Sequence, residues 1–206
     1  MAKTKGHLDE IRSAARRCQD CPLWANATQT VFGAGDPHAR VMLVGEQPGD
    51  EEDQKGLPFV GPAGRLLDRA LEAAAVDREH LYVTNAVKHF KWQQRGKRRL
   101  HKTPAQREID ACHQWLEHEM AAVEPDVIVC LGATAAKAVI GKDFKVSTMR
   151  GRFVESPLAP FVFATFHPSA LLRLRDEEER DTAFRQLVAD LSLIKKAKAS
   201  PRRARR

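Results

Sequence analysis

The feature that most constrains the fold of this chain is a series of four short apolar segments rich in β-branched residues. They span residues 40–45, 81–87, 126–132 and 160–166. Continuous apolar runs of this length are typical of strands that are buried on both faces. Stretches with helical periodicity separate them, and this alternation favours parallel strands joined by helices. We therefore predict an α/β fold, a three-layer αβα sandwich around a mostly parallel four-stranded sheet.

Helices are predicted at residues 64–75, from Thr103 through about residue 123, and at 133–140 and 182–194. Thr103 is the expected N-cap of the second helix, because Pro104 suits a first helical turn.

Each predicted strand is followed by a polar or glycine-rich string. The strings are GEQPGDEED from Gly45, TNAVKH from Thr84, LGATA from Leu131 and TFHPS from Thr165. In open α/β sheets, ligands bind at the carboxyl ends of the strands. We expect the four strings to meet in one cleft.

The chain has 206 residues and a net charge of +7, and it is expected to form one domain over residues 1–194 with a disordered basic tail over 195–206. The tail carries seven Lys and Arg and no acid, so removing it from 34 basic and 27 acidic residues leaves 27 of each. The global charge is therefore weak evidence for nucleic-acid binding. No apolar run approaches the roughly 18 residues that a membrane span needs, and the N-terminus lacks an apolar signal region. A membrane association is not expected.

A second basic segment lies inside the domain. Residues 88–102 hold seven Lys and Arg, two His and two large aromatic residues, Phe90 and Trp92, but no acid. Gly96 and its polar neighbours argue against a regular element. We expect a loop that faces phosphates.

The four cysteines suggest a metal site. Cys18 and Cys21 form a C-x2-C pair, whereas Cys112 lies in a predicted helix and Cys130 in a predicted strand. Four thiolates suit a [4Fe-4S] cluster or a tetrahedral zinc ion. One pair with two scattered cysteines fits a cluster better than a zinc ribbon, but spacing alone does not name the metal. Cys112 and Cys130 are alternatively ordinary buried thiols.

Four strings stand out beside the cysteines: GEQPGDEED, LPFVGPAGRLL from Leu57, VTNAVKHFKW from Val83 and TFHPSALLR. Together with the cysteines, they resemble the uracil-DNA glycosylase superfamily, in particular its iron-sulfur branch, family 4. Gln47, which stands where ordinary members have a small residue, and the insertion GKRRLH ending in His101 resemble the UdgX subgroup. That subgroup attaches itself covalently to DNA that contained uracil. Leu100 stands where the familiar loop string has isoleucine.

The resemblance implies a role for several side chains. Phe59 stacks on the uracil ring, Asn85 reads the N3 and O4 edge, and His167 steadies the negative charge on the departing base. Alternatively, Phe59 is a core aromatic, Asn85 caps a strand and His167 is a turn residue. The remaining expected contacts are Gly45 and Gln47 to the substrate, and Lys97, Arg98, Arg99 and Ser169 to DNA.

Cleavage of the glycosidic bond also needs groups beside the sugar. Glu46 and Asp50 belong to a run of five acids in eight residues and are the expected catalytic carboxylates, although the run is alternatively a solvated turn. His101 is the expected nucleophile, because a neutral imidazole has a lone pair that can capture an electrophilic C1′. Glu46 is its expected hydrogen-bonding partner. The alternative for His101 is a phosphate-contacting loop residue beside Lys97.

These expectations predict a single-turnover DNA repair enzyme that excises uracil and becomes attached to the abasic sugar C1′ through a histidine. The alternatives are a family 4 glycosylase that turns over and releases a free abasic site, and a noncatalytic iron-sulfur protein that binds nucleic acid. The expected partner is uracil-containing DNA, including single strands. We expect a monomer with a [4Fe-4S] cluster, located in the bacterial cytoplasm and associated with the nucleoid when bound to DNA.

Overall fold

The structure is a computed structural model that describes residues 2–197, and the side chains of residues 7–197. Its main sheet has five strands in the order β1-β3-β2-β6-β7. These strands are β1 (Ala34–Gly35), β2 (Val41–Gly45), β3 (Leu81–Asn85), β6 (Val127–Leu131) and β7 (Phe161–Thr165). All neighbours pair in parallel except β1, which is antiparallel to β3. The α/β class and the mostly parallel sheet are confirmed, whereas the strand count was wrong by one. The missed strand has two residues, too few for an apolar pattern.

Helices cover both faces of the sheet. They are α1 (Ala2–Ala15), α2 (Asp50–Lys55), α3 (Pro62–Ala73), α4 (Gln106–Val123), α5 (Ala133–Val139), α6 (Val146–Met149), α7 (Pro168–Leu171), α8 (Glu177–Leu191) and α9 (Leu193–Lys196). Alternate residues of β2 point to opposite faces. Met42 packs in the core formed with α1, α4 and α5, while Leu43 packs in the core formed with α3 and α8. The predicted three layers are confirmed.

Several helix boundaries differ from the sequence prediction. The long helix begins at Gln106 rather than near Thr103, because Glu108 accepts a hydrogen bond from the backbone N–H of Ala105 at 2.6 Å and so closes the first turn there. The last long helix begins at Glu177 rather than at residue 182. Asp176 caps it by accepting a hydrogen bond from the N–H of Glu179 at 2.8 Å.

The internal basic segment is not a loop. Residues Trp92–Arg95 (β4) and Arg98–His101 (β5) form an antiparallel pair in which Trp92 lies opposite His101, and residues 92–101 are called the hairpin. Gly96 lies in the turn with a φ of +60°, a left-handed conformation that glycine adopts without steric cost. The prediction failed because most of the hairpin is polar and exposed, so it has no apolar alternation.

The last helix extends beyond the expected domain boundary at residue 194. Lys195 and Lys196 complete α9, and the Arg40 guanidinium donates a hydrogen bond to the carbonyl of Ala197, so the folded part extends past residue 194. Residues 198–206 of the predicted basic tail lie outside the described residues. Within residues 2–197, no helix is long and apolar enough to cross a membrane.

Candidate active site

A cavity of about 550 Å³ lies at the carboxyl ends of the parallel strands. Its lining includes a residue that follows or ends each of four strands: Glu46 after β2, Asn85 at the end of β3, Gly132 after β6 and His167 after β7. The four strings singled out in the sequence therefore do meet in one cleft. The hairpin contributes His101 from the side.

Phe59 and Asn85 line part of the cavity, here called the Asn85 pocket, and Gly45 lies directly against both side chains. The Oδ1 atom of Asn85 is buried and has no hydrogen-bond partner. A Cβ on Gly45 would lie 2.3 Å from this oxygen and 2.6 Å from Cζ of Phe59, so only glycine permits the close approach. Phe59 itself has a φ of +55°, a costly conformation for an aromatic residue. An unpaired buried acceptor costs about 1–3 kcal/mol, so the pocket favours a ligand with an N–H donor.

His167 lies beside Phe59, with 5.8 Å between the ring centroids. The pKa of His167 is lowered to about 4, chiefly by burial; Glu46 acts to raise it, while His101 and Arg173 contribute to lowering it. The ring is therefore neutral at pH 7. Its Nδ1 atom accepts a hydrogen bond from the backbone N–H of Ser169 at 3.1 Å and lies 2.8 Å from the Ser169 hydroxyl. The proton must then be on Nε2, which makes that atom a donor.

Glu46 lies between His101 and Thr134. Its Oε1 atom is 3.2 Å from Nε2 of His101, and its Oε2 atom accepts a hydrogen bond from the Thr134 hydroxyl. Burial alone would raise the pKa of Glu46. The hydrogen bonds from His101 and Thr134, with the charges of His101 and His167, outweigh burial and hold that pKa below its ordinary value. Glu46 is thus an ionised carboxylate beside an imidazole, as the sequence predicted for this pair.

Gln47 does not use its amide to contact the cavity. Its Nε2 atom donates to the carbonyls of Lys91 at 3.2 Å and Lys102 at 3.0 Å, and its Oε1 atom accepts from the N–H of Lys91 at 3.0 Å. Lys91 and Lys102 flank the hairpin on either side. The Gln47 amide therefore holds the two ends of the hairpin, and a contact of this cavity-lining residue with substrate stays a prediction.

Arg99 and Asp50 also have other partners than the sequence suggested. The Arg99 guanidinium donates to Asp50 at 2.5 Å and to the buried Asp53 at 2.7 Å. It also lies over the rings of Phe90 and Trp92. Asp50 was expected to be catalytic and Arg99 to bind DNA, but their charges are paired with each other. Together they anchor the hairpin to α2.

The other predicted DNA contacts differ in accessibility. Lys97 and Arg98 are exposed at the tip of the hairpin, where phosphates can reach them. Ser169 instead orients His167. Sequence reasoning missed Leu172, which is 47% exposed at the rim of the cavity, and its exposed neighbour Arg173. An apolar residue in a helical pattern is ordinarily buried, so the sequence contained no signal for Leu172.

The structure does not bring the four cysteines together. Cys18 and Cys21 interact electrostatically with Cys112, and burial raises the pKa of Cys112 to about 12. Cys130 lies fully buried in the core cluster with Val44, and burial alone raises its pKa. Within the part of the chain that the structure describes, no three His, Cys, Asp or Glu side chains are grouped to hold a metal ion. The predicted four-cysteine set therefore does not fit a cluster as placed, and Cys130 is the residue that stands apart.

The chain is similar in sequence to several known proteins. The family model described as the uracil DNA glycosylase superfamily matches residues 32–192. A type-4 uracil-DNA glycosylase of Thermotoga maritima is 39% identical over 94% of this chain and 98% of its own length. One from Archaeoglobus fulgidus is 35% identical over 84% of this chain and 89% of its own length. A type-5 uracil-DNA glycosylase of Pyrobaculum aerophilum is 29% identical over 80% of this chain and 76% of its own length.

The chain belongs to the uracil DNA glycosylase superfamily. Its most similar relatives among these carry the type-4 name.

Proposed function

We propose that this protein excises uracil from DNA and then bonds covalently to the abasic sugar through His101. The observation that carries the proposal is the contact between Nε2 of His101 and Oε1 of Glu46 at 3.2 Å, on the wall of the same cavity as the Asn85 pocket. An imidazole and a carboxylate this close can both reach one anomeric carbon. The family members named above are uracil-DNA glycosylases, which supports the first step.

The base is recognised by the unpaired acceptor of Asn85. Uracil has an N–H at N3 and a carbonyl at C4, so it donates to Oδ1 and accepts from the side-chain N–H group of the same amide. Cytosine has no proton at N3 and has an amino group at C4, and it therefore offers the opposite pattern. Phe59 supplies the flat surface on which an extruded base stacks.

Bond cleavage separates charge across the cavity. The electrons of the bond between N1 and C1′ leave with uracil, and positive charge develops at C1′. The Nε2 proton of neutral His167 can hydrogen-bond to uracil O2, where negative charge collects. The ionised Glu46 stabilises the cationic sugar from the other side.

Capture completes the proposed reaction. A ring nitrogen of His101 gives its lone pair to C1′, which forms a carbon–nitrogen bond and makes the imidazole cationic. Glu46 stabilises that cation or accepts its N–H proton. An alkylated imidazole is a poor leaving group at neutral pH, so the protein acts once.

DNA binding is proposed to use the groups at the rim of the cavity. Lys97, Arg98 and Arg173 are exposed and can neutralise phosphates. Leu172 can enter the space that an extruded nucleotide leaves in the base stack, as apolar wedges do in other DNA complexes. We propose that a monomer suffices for this contact, on single-stranded as well as double-stranded DNA.

A glycosylase that turns over is the second candidate. The type-4 names of the relatives favour it, and a cavity of about 550 Å³ also has room for a water molecule to attack C1′. The third candidate, a noncatalytic nucleic-acid-binding protein, gives no reason for the buried, unpaired acceptor of Asn85 at the cavity. Such a protein would bind DNA with a steep salt dependence and without preference for uracil over thymine.

Although the described residues show no three side chains grouped to hold a metal ion, we propose that Cys18, Cys21 and Cys112, which interact electrostatically, bind a [4Fe-4S] cluster and that the fully buried Cys130 does not. The cluster would brace the fold, since glycosidic cleavage requires no electron transfer. Cys112→Ala is expected to reduce the iron and sulfide content of the purified protein, whereas Cys130→Ala is expected to leave it unchanged. Equal loss in both variants would restore Cys130 to the ligand set.

The test of the proposed function uses an oligonucleotide that contains one uracil and a denaturing gel. We expect a protein–DNA band that survives heat and detergent, and no such band with a thymine control. His101→Ser should remove the band, while His80→Ser, a change at an exposed position just before β3, should not. Free abasic product without the band would support the turnover enzyme, and no reaction on uracil would support the noncatalytic protein.

A further inference from the structure

The LGATA string contains a threonine that none of the roles above uses. Thr134 is the second residue of α5, and its hydroxyl donates a hydrogen bond to Oε2 of Glu46. The other oxygen of the same carboxylate, Oε1, faces Nε2 of His101 at 3.2 Å. The two oxygens of Glu46 therefore have two separate partners, one from the helix side of the cavity and one from the hairpin.

We propose that Thr134 is a positioning residue for Glu46: by holding Oε2, it keeps Oε1 directed at His101 and at the anomeric carbon. This inference rests on the proposed function and adds to it the origin of the carboxylate's orientation. Thr134 does not itself touch the reacting atoms.

The geometry explains why a threonine suits this position. The terminal torsion of a glutamate side chain is broad, so the carboxylate needs a partner to fix its plane. A β-branched threonine has few χ1 choices, which holds its hydroxyl in place. The helix that carries Thr134 is itself fixed, because Ala135 and Ala136 are fully buried and the N–H of Gly132 bonds to the carbonyl of Thr165 at 2.9 Å.

The same contact has an electrostatic consequence that can be measured. The groups that face Glu46 are His101 from the hairpin, His167 from the segment after β7 and Thr134 from α5. The Thr134 hydrogen bond favours the ionised carboxylate and so lowers the pKa of Glu46. The reaction needs that ionised form, which is lost as the pH falls. Removing the hydroxyl should raise the pKa of Glu46 and move the acid limb of the reaction to higher pH.

The experiment compares Thr134→Val with Thr134→Ser in single-turnover reactions on a uracil-containing oligonucleotide over a range of pH. Hydrogen bonds to a charged group support an expected slowing of about 10-fold for the valine variant at neutral pH. Its acid limb should lie at higher pH than that of the unaltered protein. Serine restores the hydroxyl and should restore both the rate and the pH profile. Thr148→Val, an exposed change on α6, is the matched control and should alter neither.

Each outcome is decisive for one claim. A valine variant with an unchanged rate and pH profile would overturn the role of Thr134 and leave the proposed function standing. A serine variant as slow as valine would also overturn it, since the hydroxyl would not be the group that matters. If the unaltered protein excises uracil without forming an adduct, self-trapping fails. A shifted excision profile in the valine variant would then still support the positioning of Glu46.

Discussion

Gln47 provides the sharpest test of how His101, the proposed nucleophile, is held. In Gln47→Ala the hairpin loses three hydrogen bonds at its ends, two to carbonyls and one from the N–H of Lys91. At about 1 kcal/mol each, these bonds contribute at most about 3 kcal/mol to docking of the hairpin. Lys91 is only partly buried and Lys102 is exposed. Because their backbone groups can bond to water in the variant, we expect a loss of about 2 kcal/mol, or about 30-fold in the docking equilibrium.

The two steps of the reaction should respond differently to this change. His101 sits at the end of the hairpin, so adduct formation should slow by about 10- to 30-fold. Phe59, Asn85 and His167 are held by other parts of the chain, so excision should change by less than about threefold. Quenched time courses on a uracil-containing oligonucleotide measure free abasic sites and covalent complex in the same samples.

Gln93→Ala is the matched control, because Gln93 is exposed on the same hairpin. It should leave both rates unchanged. Equal losses of excision and adduct formation in Gln47→Ala would show that the amide does more than hold the hairpin. Gln47 would then contact the substrate, as the sequence alone suggested.

Three further outcomes are expected. Asn85→Ala should lower the rate of uracil excision by at least about 10-fold, because the proposed donor and acceptor for the N3 and O4 edge are removed; a rate within twofold would exclude amide recognition. Arg99→Ala should slow adduct formation more than excision and should increase proteolysis of the hairpin; unchanged proteolysis would contradict the anchoring role. Lys88→Met should lower the free energy of unfolding in urea by about 3–5 kcal/mol, because Glu119 is left buried without its cation, whereas the exposed Lys97→Met should cost less than about 0.5 kcal/mol.

The Lys88 prediction depends on a network inside the protein. The Lys88 ammonium is 1% exposed as a side chain and donates to Glu119 at 2.5 Å, to Thr84 at 2.7 Å and to the carbonyl of Asn85 at 2.6 Å. Glu119 also accepts hydrogen bonds from the hydroxyl of Tyr82 and the N–H of Gly33. The network fixes the end of β3, where Asn85 lies. A buried pair of this kind is costly to break from one side.

The layers of the fold were predictable because strands that are buried on both faces consist of continuous apolar residues, which are visible in the sequence. The four apolar runs correspond to β2, β3, β6 and β7, and each boundary differs by no more than two residues. The convergence of their polar ends follows from parallel pairing alone. The strand β1 could not be predicted, because two residues are too few to show an apolar pattern.

The hairpin was not predictable for the opposite reason. Its strands expose most of their residues, so they lack the apolar alternation that identifies a strand. The hydrogen bonds that hold the hairpin join residues far apart in the sequence. Gln47 lies 44 and 55 residues from the carbonyls to which it donates, and Arg99 lies 49 residues from Asp50. Such pairings depend on the tertiary fold.

The candidate site shows the same limit. The sequence predicted that Glu46 and His101 would be partners, and the structure brings them together. The sequence did not predict the contact between Thr134 and Glu46, because a threonine at the start of a helix has many ordinary uses. The cysteines show how one residue type supports two interpretations. From the sequence, Cys130 in an apolar strand fits a metal ligand and a core residue equally well. Its position among Val44 and other core side chains favours the core residue.

The proposed function depends above all on a bond between the imidazole of His101 and the sugar carbon that loses uracil. Tandem mass spectrometry of the nuclease- and protease-digested complex locates that bond. We expect a deoxyribose-derived mass on His101 that is present both with and without borohydride treatment. A modification on a lysine that is seen only after borohydride reduction, or on Glu46, or no modification at all, would contradict capture by His101.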